Sequence, residues 1–270
     1  ALKLPSNRIF WYILNPFIII EFTGNLHFEG VMLFFLIWSL YLLHSGKWKW
    51  AALVFACSVS VKLIPLMFLP LFFWWFIKKD KVVDGLKQLT IFYTIVGLSI
   101  VLLFLPFFSM AFITNYAETV GLWFGDFEFN ASIYYVLREV GFSITGYNEI
   151  QTIGKILPVI TLLSILGLAF LRKNYDFKTL ASSMLLAFTV YLFLSTTVHP
   201  WYISTLVLLC MFTNFRFPLV WSLVIILSYL AYLGIGTSEK SENLWIIGLE
   251  YLLVYAAFFW EVVLKKKITI

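Results

Sequence analysis

Long apolar stretches, separated by short breaks that contain charged residues, glycine or proline, run through almost the whole chain. A helix needs roughly 20 apolar residues to cross the hydrocarbon core of a bilayer, and several stretches reach or approach that length. Of the 270 residues, 62% are hydrophobic and 12% are charged, a composition that soluble domains do not have. The sequence therefore predicts an integral membrane protein without a soluble domain.

The membrane segments are predicted to be helices. Backbone groups inside a bilayer must be hydrogen-bonded internally, which leaves helices or a closed barrel, and barrel strands alternate apolar with polar residues. Runs such as VMLFFLIWSLYLL and LWIIGLEYLLVYAAFFW do not alternate. We therefore expect an all-α, polytopic transmembrane helical bundle that forms one domain over residues 1–270, with about eight to ten membrane segments.

The breaks divide the apolar sequence into segments of unequal length. The third, fourth and eighth are too short to cross a bilayer upright, so we expect half-helices or re-entrant pieces. Residues 109–150 form the longest non-apolar stretch and are predicted to be a loop outside the membrane. The ten segments are 9–21, 28–44, 50–61, 65–77, 89–108, 151–171, 179–198, 201–213, 217–235 and 244–264.

Basic residues collect at alternate ends of these segments. Short cytoplasmic loops carry the excess of Lys and Arg, so we expect both termini of the chain in the cytoplasm. The +5 net charge then reports topology and gives no indication of nucleic-acid binding. Arg138, Lys155 and Lys240 lie on the predicted outer side, and Lys62 lies within the membrane. The other basic residues lie on the predicted cytoplasmic side: Lys3, Arg8, Lys47, Lys49, Lys78, Lys79, Lys81, Lys87, Arg172, Lys173, Lys178, Arg216, Lys265, Lys266 and Lys267.

The chain begins at Ala1 and lacks the basic, apolar and small-residue regions of a signal peptide. Its opening, ALKLPSNRIF, is typical of a loop that enters a membrane helix. We therefore expect an N-terminally truncated fragment of a longer chain.

Residues 15–30, NPFIIIEFTGNLHFEG, contain the first polar motif. Glu21, Asn25, His27 and Glu29 lie within nine residues between two membrane segments, where ionisable groups are costly and usually functional. An extended turn would point Asn25, His27 and Glu29 to one side, whereas a helical Glu29 would break that alignment. The alternative is an ordinary turn in which Asn25 caps the next helix, near Phe28.

The second motif, SVSVKLIPLMFLP, places Lys62 between two short apolar segments. An ammonium group at this depth needs a phosphate or carboxylate partner, and a lipid phosphate at the outer interface would serve. The alternative is a lysine that only extends its side chain to the interface.

The third motif lies in the predicted outer loop, where aromatic and polar residues alternate. Rings that stack on sugars and carboxylates that bind hydroxyls would suit a carbohydrate site, but an aromatic belt at the interface explains the rings equally well. Asn130-Ala131-Ser132 also matches the N-glycosylation pattern. The residues are Trp123, Phe124, Asp126, Phe127, Glu128, Phe129 and Asn130.

The fourth motif, STTVHPWYI, contains His199, Trp201 and Tyr202 at the predicted outer end of the seventh segment. The proline after His199 ends the helix and directs a titratable ring toward the outer side. Trp201 and Tyr202 are also typical interface anchors.

These four motifs, in this order, resemble the GT-C membrane glycosyltransferases. The resemblance covers about residues 10–215 and depends on the ordered set more than on any one motif. The most similar members are bacterial mannosyltransferase-like enzymes that use polyprenyl-phosphate sugars, so the resemblance implies a protein of the bacterial inner membrane. The resemblance implies transfer of a sugar, expected to be mannose, to a hydroxyl group at the outer membrane face. The acceptor would be a glycan, a lipid or a protein.

The resemblance also implies roles for residues. A carboxylate of the first outer loop takes the acceptor proton in such enzymes, and we expect this catalytic residue upstream of Ala1. Lys62 and His199 would stabilise the departing phosphate, and Glu21, Glu29 and Glu128 would bind sugar or acceptor. No ligand set has diagnostic metal spacing, so a divalent cation is left open. The predicted substrate-binding residues are Glu21, Asn25, His27, Glu29, Lys62, Glu128, Asn130, His199, Trp201 and Tyr202.

Two other classes fit part of the pattern. A transporter or lipid flippase also has broken helices and buried charges, but it usually has paired repeats and binding residues at the midplane. A structural subunit needs no cluster such as that between Glu21 and Glu29. One outward cavity that joins the four motifs would favour the glycosyltransferase, and a central cavity with pseudo-symmetric walls would favour a carrier.

Overall fold

The computed structural model describes residues 5–77, 81–125, 127–233 and 242–266. The described residues form thirteen α-helices and no β-strand, which confirms the predicted all-α bundle. Lys3, Lys78, Lys79, Asp126, Lys240 and Lys267 lie outside the described residues. The helices are α1 Phe10–Ile13, α2 Pro16–Ile19, α3 Glu29–His44, α4 Trp48–Val61, α5 Phe73–Phe76, α6 Val82–Phe104, α7 Met110–Gly125, α8 Ile133–Thr145, α9 Ile150–Phe170, α10 Phe177–Leu194, α11 Ile203–Cys210, α12 Phe217–Val224 and α13 Leu244–Phe258.

Tighter and wider helical turns join several of these helices. Two wider turns, of the π type, precede the bend before α3 and follow α13: Ile20–Gly24 and Phe259–Val263. The tighter turns, of the 3-10 type, are Ser6–Ile9, Ile64–Phe72, Leu105–Phe107, Pro200–Tyr202 and Ile225–Tyr232. Because a 3-10 turn rises by about 2.0 Å per residue, against about 1.5 Å in an α-helix, such segments reach further with fewer residues.

Four helical stretches in the described part of the chain are long and apolar enough to cross a membrane. They are Val82–Phe107, Ile150–Phe170, Phe177–Leu194 and Leu244–Val263. Pro16–Gly24 and Glu29–His44 would form a fifth, but the chain bends by 112° between them. The remaining apolar helices are shorter, as the sequence predicted for the third, fourth and eighth segments. These features support an integral membrane protein.

The short helix α4 nevertheless packs along the full length of α3. Ser39 Oγ donates to the Ala51 carbonyl at 2.8 Å, and Ser58 Oγ donates to the Met32 carbonyl at 2.7 Å, so α4 lies antiparallel along the whole of α3. The 3-10 segment and α5 then return beside α4, since the Phe55 ring contacts Phe72 at 5.6 Å between centroids. This hairpin brings the start of α3 next to the end of α4.

The bundle has two chemically different ends. The basic end contains Arg8, Arg172, Lys178, Arg216 and Lys265, and the polar end contains Glu21, Glu29, Lys62 and His199. Three contacts join the turns of the basic end: Arg8 Nη1 to the Thr213 carbonyl at 2.9 Å, Trp74 Nε1 to the Phe170 carbonyl at 3.0 Å, and Phe177 to Phe212 at 5.4 Å between ring centroids. Which end faces the cytoplasm stays a prediction.

The region predicted as an outer loop, residues 109–150, holds α7, α8 and a short link between them. The link pairs with the stretch before His199: the Phe129 N–H donates to the Thr196 carbonyl at 3.0 Å, and the Val198 N–H donates to the Phe129 carbonyl at 2.8 Å. This pairing holds the third motif against the fourth. Of Trp123 and Phe124 only the backbone belongs to the described structure, so the predicted role of their rings stays a prediction.

Close packing at the basic end depends on Gly85, in the first turn of α6. A methyl group on its Cα would lie 2.5 Å from the Phe76 carbonyl oxygen, whereas one on Gly97, in the same helix, would meet nothing within 4 Å. We expect Gly85→Ala to cost about 1–3 kcal/mol of stability by overpacking. Gly97→Ala should be neutral or stabilising, because Ala favours helix by up to about 1 kcal/mol. Thermal unfolding of the two purified variants in one detergent measures the difference; equal melting temperatures would contradict the close approach.

Candidate functional site

The first polar motif folds around Glu21, which lies in the π turn Ile20–Gly24 and is completely buried. Its Oε1 accepts a hydrogen bond from the Tyr229 hydroxyl at 2.7 Å. Its Oε2 accepts one from Asn25 Nδ2 at 3.3 Å and lies 3.5 Å from His27 Nε2. Turns of the π type inside helices are frequent at functional sites. Glu21 therefore gathers Asn25 and His27 into one cluster.

The backbone after this cluster differs from both sequence interpretations. Glu29 is the first residue of α3, so the extended alignment of Asn25, His27 and Glu29 does not form. Leu26 has a φ of 54°, in the left-handed region, which turns the chain between Asn25 and His27. Asn25 does not cap α3 either, because its side chain is bonded to Glu21 and Tyr229.

Glu29 instead pairs with Lys62, 33 residues further along the chain. Glu29 is completely buried, and its Oε1 accepts from the Lys62 ammonium, while its Oε2 has no hydrogen-bond donor among the described residues. Lys62 follows the last residue of α4 with an extended backbone, and 30% of its side chain is exposed. Its Nζ also lies 5.6 Å from the centre of the Tyr202 ring. The site thus holds a half-exposed ammonium beside a buried carboxylate.

Three rings from two distant parts of the chain form a stack. The Trp201 indole lies between His27, at 3.8 Å between ring centroids, and His199, at 4.4 Å. Pro200 starts the 3-10 turn Pro200–Tyr202, which directs these side chains across the end of the bundle. Phe129 of the third motif contacts His199 at 5.2 Å between centroids. The stack therefore joins the first, third and fourth motifs.

His199 is a neutral group at this site. It is buried, and this burial, together with the nearby charges of Lys62 and His27, lowers its pKa from 6.5 to about 4. At neutral pH the imidazole carries no charge, so it can exchange hydrogen bonds with a phosphate or hydroxyl but supplies no cation. The ammonium of Lys62 is then the positive charge at this site.

The depressed pKa of His199 predicts acid-sensitive stability. Between about pH 4 and pH 6.5 the unfolded chain binds a proton at this residue that the folded protein does not bind, so stability falls as the pH is lowered through that range. We expect His199→Gln to remove part of this fall, while His44→Gln, at an exposed position, leaves it unchanged. Melting temperatures from about pH 7 to about pH 4.5 measure it; identical slopes in wild type and His199→Gln would contradict the assignment.

Glu128 lies apart from the Glu21 and Glu29 clusters. Its carboxylate accepts from the Tyr134 hydroxyl at 2.6 Å, from Asn148 Nδ2 at 3.4 Å and from the Arg138 guanidinium. This group ties the link after α7 to α8, so Glu128 has the surroundings of an anchoring residue.

Asn130 is completely buried, with a φ of 45°. Its N–H donates to Glu242 Oε1 at 2.6 Å, its Nδ2 donates to Glu250 Oε1 at 3.1 Å, and its carbonyl accepts from the Tyr251 hydroxyl at 2.7 Å. These bonds fix the link to α13. The substrate-binding role predicted for Asn130 stays a prediction.

Sequence reasoning did not identify Glu250 or Tyr229. Glu250 lies inside the apolar run LWIIGLEYLL and is completely buried, so the rule for ionisable residues within membrane segments, applied above to Lys62, would have found it. Tyr229 had no sequence signal, because a single tyrosine in an apolar segment is typical of the membrane interface.

An apolar groove of about 250 Å³ lies between the 3-10 segment Ile64–Phe72, α9 and the end of α10. One wall is the 3-10 segment that begins two residues after Lys62, and the other includes Ser195 and Thr196, just before His199. α9 closes the groove with Pro158 and Ile165. No group of three or more His, Cys, Asp or Glu side chains suited to a metal ion occurs in the described part of the chain, and the divalent cation stays a prediction.

The fold and the site define a polytopic membrane protein whose ionisable and aromatic side chains meet at one end of a helical bundle. Residues 3–78 match the model of a family described as alpha-(1->6)-mannopyranosyltransferase, N-terminal domain. The matched region contains the Glu21 cluster and both members of the Glu29 and Lys62 pair. No curated protein and no solved structure matches the chain. The similarity supports a mannosyltransferase, an enzyme that uses a sugar donor and an acceptor.

Proposed function

We propose that the protein is a GT-C-type glycosyltransferase that transfers mannose from a polyprenyl-phosphate donor to an acceptor hydroxyl at the polar end. The contact between His27 and Trp201 carries this proposal. It joins the part of the chain that is similar to a mannosyltransferase family to the HPWY motif, which lies outside the matched region. A contact that only stabilised the bundle would not need two imidazoles around one indole.

Lys62 is the residue that we expect to bind the donor phosphate. Its ammonium is partly exposed at the polar end, where a lipid phosphate would lie. The apolar groove, one wall of which is the 3-10 segment that follows Lys62, would suit a polyprenyl chain. Positive charge placed where the phosphate leaves is among the largest contributions that a protein makes to such a reaction. Glu29 would hold the ammonium in position through its Oε1.

The sugar would bind between the ring stack and the carboxylates. Aromatic faces pack against the apolar face of a sugar, and Trp201 and Tyr202 are only half-buried. Glu29 Oε2 is an acceptor without a donor among the described residues, so a sugar hydroxyl would satisfy it. Glu21 would act through His27, which it holds against Trp201.

In the proposed reaction the bond from the anomeric carbon to the phosphate oxygen breaks, and a bond from that carbon to the acceptor oxygen forms. The leaving group is the polyprenyl phosphate, and the acceptor proton passes to a general base. The resemblance implies that this base is a carboxylate of the first outer loop of such enzymes, and no residue of the described site is assigned this role. The residues of this chain are therefore given binding and positioning roles.

Transfer of label from polyprenyl-phosphate [³H]mannose by membranes that contain the full-length parent protein tests the proposal. We expect label in an acceptor fraction from this donor and none from GDP-[³H]mannose, with loss of transfer in His27→Ala. Glu139→Gln, a change at an exposed carboxylate outside the ring stack, is the matched control. Transfer from GDP-mannose would refute the lipid-linked donor, and no transfer from any mannose donor would favour a transporter.

We also propose that the polar end faces outward and that both termini of this chain face the cytoplasm. In a Cys57→Ala background, Thr23→Cys places a thiol in the exposed turn of the polar end, and Ser45→Cys places one at the opposite end of α3. A membrane-impermeant maleimide added to intact cells should label the first variant only. Labelling of the second variant alone would reverse the orientation.

A further inference from the structure

A second cavity, of about 470 Å³, lies at the basic end. It is bounded by the residues just after α9, the start of α10, the turn before α12 and the residues after α13. Ser182 and Asn214 add polar groups to its wall, and four basic side chains surround it. These are Arg172, Lys178, Lys265 and Lys266.

The carboxylates near this cavity are already bonded. Glu261 Oε2 accepts from the backbone N–H groups of Arg216, at 2.6 Å, and Phe217, at 2.7 Å. Asp176 caps α10, because its two oxygens accept from the Thr179 N–H at 3.0 Å and from the Thr179 hydroxyl at 2.6 Å. A hydrogen-bonded carboxylate keeps its negative charge, so Glu261, which lines the cavity, and Asp176, which acts on Arg172 and Lys178, offset part of the charge of the four basic side chains.

The basic side chains around the cavity differ from others at the same end. Arg216 Nη1 donates to the carbonyls of Cys210 and Phe215, so that guanidinium stabilises a turn. By contrast, no ion pair within 4.0 Å joins Arg172, Lys178, Lys265 or Lys266 to a carboxylate in the described part of the chain. The cavity therefore carries an excess of positive charge.

Two exposed apolar residues directly precede basic residues of the cavity wall in the sequence. Leu171, immediately before Arg172, is 87% exposed, and Leu264, immediately before Lys265, is 45% exposed. Each basic residue of these two pairs thus has an exposed apolar neighbour in the chain. A soluble anion would bind the basic side chains only. A lipid would contact the basic side chains through its headgroup and the two leucines through its acyl chains.

We propose that this cavity binds the phosphate of an anionic phospholipid headgroup, with the acyl chains packed on Leu171 and Leu264. Basic pockets between membrane helices are known to bind such headgroups. The bound lipid would hold the ends of α9, α10 and α13 together. This site is separate from the proposed mannosyl site, at the other end of the bundle, and its test does not depend on transfer.

Native mass spectrometry measures the affinity of the purified full chain for a lipid. The chain is titrated with phosphatidylglycerol or with phosphatidylcholine. We expect wild type to bind one phosphatidylglycerol more tightly than any phosphatidylcholine. Arg172→Gln/Lys265→Gln should weaken phosphatidylglycerol binding by roughly tenfold or more. Lys81→Gln/Lys87→Gln removes the same charge from exposed positions at and near the start of α6 and should leave the binding unchanged.

Three results would overturn the proposal. An equal loss of affinity in both double variants would mean that only the summed charge of the basic end attracts the lipid. No loss in Arg172→Gln/Lys265→Gln would exclude the cavity. Displacement of phosphatidylglycerol by inorganic phosphate at similar concentration would show a site for a soluble anion.

Discussion

Lys62→Met should lower mannosyl transfer by about 100-fold to 1,000-fold, because it removes the positive charge assigned to the departing phosphate. The same change should also destabilise the protein by about 3–5 kcal/mol, since it leaves the completely buried carboxylate of Glu29 without its ion-pair partner. Initial rates with polyprenyl-phosphate mannose and the melting temperature of the purified variant measure the two effects separately.

The double variant Glu29→Gln/Lys62→Met separates the role of Lys62 in stability from its role in transfer. With both charges removed, no buried ion is left unpaired, so most of the lost stability should return. Transfer should stay low, because the cation is still missing. Recovery of transfer together with stability would show that Lys62 serves only to neutralise Glu29, and the proposed phosphate site would be wrong.

Glu21→Gln should have the second largest effect on transfer. Gln has nearly the shape of Glu and retains one oxygen acceptor, but it cannot hold His27 through a charge. We expect a loss of about 100-fold in transfer, because small displacements of positioning groups cost that much, with a small change in melting temperature. Initial rates with polyprenyl-phosphate mannose and the melting temperature of the purified variant measure the two effects.

Tyr229→Phe is the matched variant for this prediction. It removes the hydroxyl that donates to Glu21 Oε1 and leaves the carboxylate and its contact with His27 in place. We therefore expect Tyr229→Phe to lower mannosyl transfer much less than Glu21→Gln does. Equal losses in the two variants would mean that Glu21 acts by fixing Tyr229 and the 3-10 segment around it, not by positioning His27.

Much of the architecture could be predicted because it depends on local sequence. The apolar runs gave the helical bundle, and the cost of charge in a bilayer identified Glu21, Glu29 and Lys62 as residues of interest. Their pairing could not be predicted. Lys62 meets Glu29 and not Glu21 because α3 and α4 pack in one register, and that register depends on contacts such as Ser58 with Met32.

The helices within the predicted outer loop were not identified from the sequence. Residues 109–150 contain scattered charges, and Ile133–Thr145 among them is a helix. The position of this region outside the membrane stays a prediction. Val136, Val140 and Ile144 are exposed along one side of that helix, at the spacing of successive helical turns. This periodicity was present in the sequence. The burial of Asn130 could not be predicted in the same way. It depends on hydrogen bonds to Glu242 and Glu250, more than 100 residues away, and no local sequence pattern indicates such contacts.

The two halves of the polar end are made at different times. Ribosomes produce the chain from its N-terminus, so Asn15 and Glu21 enter the membrane long before Ser222 and Tyr229, which bond to them in the finished protein. Until the C-terminal helices arrive, the nascent chain must keep a carboxylate and an amide in lipid with few partners. Variants that weaken these late contacts should therefore reduce the yield of inserted protein more than they reduce the stability of molecules that have matured.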